Sequence, residues 1–304
     1  EKAFRNLIRC FGIDDELVKL NMYANNVGFE LRNNRRNVSV ADRFINFNTG
    51  DNKSAVVYNY RDPSNSQSTG YISGSSALKD GHAITLESEI LFPLKSSPAD
   101  DVYIDTNTVS SSLFGVHGVQ AVHAASSPSH TTWAAQDIVN FQVYAVRDEA
   151  TSDNVRFVVT SSSPRGKVPY LTSELYEDVY NNTRWNLAVR IKPAKYPLTS
   201  LVQGTELDPS RVTGSYTIEL HGVQADAGEF LEEFTVSKTI SAPITFITSS
   251  RRVYVGAHRT NFTGSLLSYS DVKVNACRFW LDYVEDEALN AHILDTENFG
   301  TTHP

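Results

Sequence analysis

Eight segments of this chain share one texture, and that texture limits what the chain can become. "AITLESEILF" (83–92), "IVNFQVYAVR" (138–147), "VRFVVTSS" (155–162), "RWNLAVRIKP" (184–193), "GSYTIELHGV" (214–223), "EEFTVSKTI" (232–240) and "RVYVGAH" (252–258) are short and rich in Val, Ile, Tyr and Phe. "SAVVYNY" (54–60) is an earlier, shorter example. Each is bounded by Ser, Asn, Gly or Pro, the punctuation of strands. Several alternate with period two. In 184–193, Trp185, Leu187, Val189 and Ile191 fall on one face, with Asn186, Ala188 and Arg190 on the other. In 83–92, Ile84, Leu86, Ile90 and Phe92 oppose Glu87 and Glu89, and the acidic face reads as solvated. Parallel strands would need helical crossovers, and no linker between these segments carries a helical pattern. The expectation is an all-β, two-sheet antiparallel jelly-roll sandwich.

The ends differ from the middle. "DDELVKLNMYANNV" (14–27) opens with acidic residues and then spaces Leu17, Leu20 and Tyr23 as a helix would. Residues 1–53 therefore read as a partly helical N-terminal arm and 54–304 as the sandwich. "EDEALNAHIL" (285–294) reads as a short C-terminal helix with acidic residues at its start. Phe4, Leu7, Ile8 and Phe11 give the arm an apolar side that must pack on the domain or on a neighbouring subunit. "EKAFRNLIRC" is charged and has no apolar stretch, so it does not read as a secretory signal.

Composition excludes several classes. With 27 basic against 35 acidic residues, a net charge of -8, the chain lacks the basic surface of a nucleic-acid binder. No segment approaches the roughly 18 apolar residues of a spanning helix, so membrane insertion is not expected. Cys10 and Cys277 are far apart and read as free thiols rather than a metal site. Retaining hydrolysis needs paired carboxylates about 5 Å apart, and only Glu87 and Glu89 share a strand face. No Gly-x-Ser-x-Gly elbow and no Cys–His pairing is present, so the chain is expected not to be an enzyme. In "FGVHGVQAVHAASSPSHTTW" (114–133), His117, His123 and His130 are too widely spaced for a metal motif and read as loop or partly buried histidines.

The C-terminal stretch "RRVYVGAHRTNFTGSLLSYSDVKVNACRFWLDYVEDEAL" carries a resemblance. A strand, the turn glycine Gly264, the acidic Asp271, the aromatic strand "RFW" (278–280) and the terminal helix "EDEAL" (285–289) resemble the concanavalin A-like lectin/glucanase superfamily in its laminin-G-like branch. The nearer likeness is to laminin-G-like domains in structural proteins of marine tailed bacteriophages. That resemblance implies a virion protein with a role in decoration, subunit contact or adhesion, with protein subunits of a homo-oligomer or virion as partners. It also leaves open a carbohydrate-binding, lectin-type module at a cell surface or outside the cell. Glycan binding would draw on Trp133, His130 and His117. No cofactor is required, although a calcium ion, frequent in the branch, would draw on Asp271 and Asp105.

Overall fold

The computed structural model describes residues 10–11, 43–58, 83–94, 109–118, 140–161, 167–194, 214–226, 228–242, 246, 251–259 and 265–295. Backbone contacts divide the chain into two units, Glu1–Ala41 and Asp42–Pro304, and all but two of the described residues belong to the second. That unit is an all-β sandwich of two large antiparallel sheets with one short C-terminal helix.

The strands are β1 (Ile45–Asn46), β2 (Val56–Tyr58), β3 (Ile84–Phe92), β4 (Ser110–Gly118), β5 (Phe141–Arg147), β6 (Val155–Ser161) and β7 (Leu171–Thr172). They continue as β8 (Thr183–Pro193), β9 (Ser215–Asp226), β10 (Glu229–Ser241), β11 (Arg251–Gly256), β12 (His258–Arg259), β13 (Leu266–Ser268) and β14 (Lys273–Trp280). The helix is α1 (Asp286–Leu294). Sheet A runs in the order β1-β14-β3-β8-β9-β10, and sheet B in the order β2-β11-β4-β5-β6-β7.

Alternation decides which residues fill the space between the sheets. Ile84, Leu86, Ile90 and Phe92 of sheet A join Trp185, Leu187, Val189 and Ile191 in one core. Phe114, Val116, Phe141, Val143 and Phe157 of sheet B complete it. Phe157 sits at the aromatic centre, 4.8 Å from Trp185 and 5.8 Å from Phe92 between ring centroids. Offset and tilted ring pairs of this kind add to the area they bury.

Two elements differ from the sequence expectation. Ser110–Gly118, read as part of a histidine-bearing loop, is a central strand of sheet B. Its triple serine, its glycine and a register shift between Ser112 and Phe114 conceal the alternation. Ile45–Asn46, assigned from sequence to the arm, pairs with Val274 and Lys273 at the edge of sheet A. Gly264 and the segment 14–27 lie outside the described residues.

Candidate functional site

Each sheet turns one face away from the core, and the two outer faces are built on opposite principles. On sheet A, strand register sets Arg278, Glu87, Ala188 and His221 side by side, with Trp280, Thr85, Arg190 and Glu219 in the next row. The small side chain of Ala188 lets α1 settle on this face through Ala288 and Leu289. The face is therefore covered, and Glu87 and Glu89, expected to be solvated, are fully buried.

Burial obliges these carboxylates to find donors. Glu87 accepts from Asn186 Nδ2 (2.9 Å) and Trp280 Nε1 (2.8 Å), and His292 Nδ1 lies 2.9 Å from its Oε1. Burial pushes the Glu87 pKa up, but the hydrogen bonds of His292 and Asn186 and the charge of Arg278 outweigh it and hold the group below its ordinary value. Glu89, bonded by Arg184 and Asn275, is pushed the other way because burial prevails. Trp280 stacks on His292 on this outer face, with 5.6 Å between ring centroids. The network is a polar clamp beneath the helix and offers no paired carboxylates to a solvent-borne sugar.

Asp271, the calcium candidate, is already engaged. Its Oδ2 accepts from Arg147, and its Oδ1 accepts from the Tyr180 hydroxyl at 2.7 Å. The Arg147 guanidinium also stands 4.0 Å above the Tyr180 ring. Arg147 neutralises this carboxylate, and both of its oxygens are engaged.

The outer face of sheet B is uncharged or cationic. Register places Tyr58, Tyr254, Gly115, Gln142 and Thr160 in one row across five strands, with Arg252 and His117 paired beside it. Ser112 Oγ donates to the Gly256 carbonyl (2.7 Å) and accepts Gln142 Nε2 (2.8 Å). Gln142 Oε1 is thereby turned to His117 Nε2 at 2.8 Å, which puts the ring proton on Nε2. The Asn140 amide lies 3.0 Å from Nδ1, and a bare Nδ1 assigns its NH₂ to that contact. Burial, then the neighbouring His258, drives the His117 pKa down to about 3. His258 stacks on it at 5.2 Å and is lowered to about 4, again by burial. The Tyr144 hydroxyl, its pKa raised by burial, lies 2.6 Å from His258 Nδ1. His258 Nε2 is a buried atom that has no hydrogen-bond partner. Arg252, Tyr254, His117 and Gln142 form a buried floor, while Tyr144 and Thr160 are half-exposed and Arg156 is exposed.

Of the sequence candidates, His117 lies in this cluster. Trp133, His130 and Asp105 lie outside the described residues, as do Phe4, Leu7 and Ile8 of the arm. Phe11 is described and is 78% exposed. Both cysteines are free thiols, and burial raises Cys277 to about 12. Among the described residues no helix is long and apolar enough to cross a membrane. Sequence reading missed Gln142, Tyr144, Tyr254 and Arg252, although each occupies the polar phase of an alternating strand.

No protein-family model matches the sequence, and neither does any curated protein sequence. The chain is similar to the CBM2 module of the evolved Dit of Lactobacillus casei BL23 phage J-1, with 9% identity and a TM-score of 0.36 over 71% of this chain and 69% of that one. It is similar to an alginate lyase of Pseudomonas aeruginosa, with 7% identity and a TM-score of 0.36 over 71% of each chain. A PL-14 alginate lyase of Aplysia kurodai matches at 9% identity and a TM-score of 0.29, over 74% of this chain and 82% of that one. These lyases overturn the expectation that the chain is not an enzyme. That expectation rests on missing paired carboxylates, which hydrolysis requires and elimination does not.

Proposed function

We propose that this chain is a carbohydrate-engaging β-sandwich of the concanavalin A-like, laminin-G-like type, carried on a virus particle, whose outer sheet-B face receives an acidic glycan. One observation carries the reading. The strands β2, β4, β5, β6, β7 and β11 contain no Asp or Glu but hold Arg147, Arg156, Arg251 and Arg252, in a chain of net charge -8. Arg147 is neutralised by Asp271, which leaves Arg156 and Arg252 as the charges on the outer face. A carboxylate-bearing sugar meets a cation at Arg156 and hydroxyl groups at Tyr144 and Thr160.

A second reading, cleavage of the bound glycan by elimination, is favoured by the Tyr144–His258 pair. In that reaction the hydrogen on the carbon beside the sugar carboxylate leaves as a proton, its electron pair forms the carbon–carbon double bond and the bond to the leaving oxygen breaks. The Tyr144 hydroxyl, held by His258, protonates that oxygen and the carbon's proton restores the phenol. Subunit contact through the apolar arm completes the proposal, and deletion of residues 1–41 leaves the paired strand at Ile45 intact for that test.

The deciding experiment is retention of the purified chain on immobilised alginate and on a neutral glucan. Retention on alginate, reduced by salt and by Arg156→Ala, is expected. Equal behaviour on both polymers would sink the acidic-glycan reading. Ultraviolet absorbance from new carbon–carbon double bonds in the soluble polymer, lost in Tyr144→Phe, would add cleavage to binding.

A further inference from the structure

Beneath the first turn of α1 a buried imidazole has a nitrogen with nothing to bond. His221 of β9 is fully buried. Its Nδ1 lies 2.8 Å from Thr235 Oγ1 on the neighbouring strand β10. With Thr235 accepting from Nδ1–H, the other ring nitrogen, Nε2, keeps a bare lone pair, and it has no hydrogen-bond partner. An imidazole anchored through one nitrogen with its second left open is the arrangement that metal-binding histidines adopt.

Carboxylate oxygens stand beside both nitrogens of this ring. Glu233 Oε1 on β10 is 4.0 Å from Nε2. Asp286 Oδ1, from the first turn of α1, is 3.8 Å from Nδ1. One ligand atom from each of His221, Glu233 and Asp286 lies within 4.8 Å of the others. Arg190 holds Asp286 Oδ1, which leaves Oδ2 for another partner. Asn290, one helical turn after Asp286, turns a buried Oδ1 to the same ring. Ligand atoms around a four-coordinate ion with bonds of about 2.0–2.2 Å stand roughly 3–3.5 Å apart, so small side-chain rotations close this set.

We propose that His221, Glu233, Asp286 and Asn290 bind one divalent transition-metal ion that fastens α1 to the β9–β10 hairpin. One imidazole with carboxylate and amide oxygens suits Zn²⁺ or Mn²⁺ and is a poor match for the all-oxygen shells of Ca²⁺ and Mg²⁺. Glu219, Glu233 and Asp286 supply three negative charges near His221, against Arg190 and Lys192. Burial, assisted by Arg190, keeps the ring neutral, the form a metal requires.

The full chain, stripped with chelator, is titrated with Zn²⁺ by calorimetry and with Mn²⁺ by electron paramagnetic resonance. Binding of a single ion, insensitive to excess Ca²⁺ and accompanied by a raised thermal midpoint, is expected. Glu233→Gln, on an exposed edge strand where folding is not at risk, should weaken affinity at least about tenfold, and Asp286→Asn should do the same. Absence of uptake by the stripped chain overturns the site. So does uptake that neither substitution weakens, which would place the ion elsewhere.

Discussion

A methyl group added at Gly115 would overlap both Gln142 Oε1 and the Phe141 carbonyl oxygen. The glycine is thus the space in which Gln142 lies flat between Ser112 and His117. Gly115→Ala should cost about 1–3 kcal/mol by overcrowding and detach Gln142 from His117. An unchanged urea midpoint would mean that Gln142 can leave without consequence. At Glu87 the issue is unmet demand rather than space. Asn186, Trp280 and His292 all address this one carboxylate. Glu87→Leu should destabilise the chain by about 3–5 kcal/mol, because buried donors and the nearby Arg278 lose their counterpart. Glu87→Gln keeps the shape and one acceptor oxygen, so its loss should be clearly smaller; equal losses for the two variants would refute the donor account. Alternation in the sequence put Glu87 on the correct face of its strand. It gave no means of knowing that α1, nearly two hundred residues later, covers that face.

Elements were legible where local chemistry and tertiary context agree. The strand from 183 to 193 and the helix from 286 to 294 carry their patterns in their own residues. β4 does not, because serines and a glycine occupy positions that only sheet B makes strand-like. The sheet-B cluster was hidden for the same reason: Tyr144, Gln142, His117 and Tyr254 sit on three strands far apart in sequence and meet only through register. His117 alone is a sequence candidate; its partners occupy the polar phase of their own strands, which does not say that they meet. At the scale of elements α1 is the most exposed to test. It is short, it has no side-chain cap at Glu285, and it depends on Leu289 packed against Ala188, Val284 and Ala288. Leu289→Ala should therefore cost about 2–5 kcal/mol. Its loss should open the amides beneath α1 to hydrogen exchange before those of sheet B, and uniform exchange across both sheets would show that the helix does not unlatch separately.

Three of the four imidazoles buried among the described residues give the molecule an acid sensitivity that its carboxylates alone would not. His117 is lowered to about 3, and His221 and His258 to about 4, each chiefly by burial. The surrounding charges differ: His117 faces Gln142, Asn140 and His258; His258 faces Tyr144; and His221 lies among Arg190, Glu219 and Asp286. Unfolded, each ring takes up a proton near its ordinary pKa of about 6.5. A depressed histidine thus binds more protons unfolded than folded, and its stabilising contribution is full above pH 6.5 and is lost as pH falls towards 4. Each proton adds up to about 1.4 kcal/mol of stability lost per pH unit in that window. Glu87, also held low, extends the loss below its ordinary carboxylate range, whereas Glu89, raised, opposes it. The urea midpoint of chelator-treated protein should fall between pH 6.5 and 5, before ordinary carboxylates begin to titrate. His258→Phe should flatten the slope by about one proton's worth, because a phenyl ring fills the same buried space without a charge to acquire. Salt should leave the slope nearly unchanged, since these rings lie beyond the reach of mobile ions. A midpoint level down to pH 5 would mean that water reaches the rings and that neither outer face is as closed as the packing makes it.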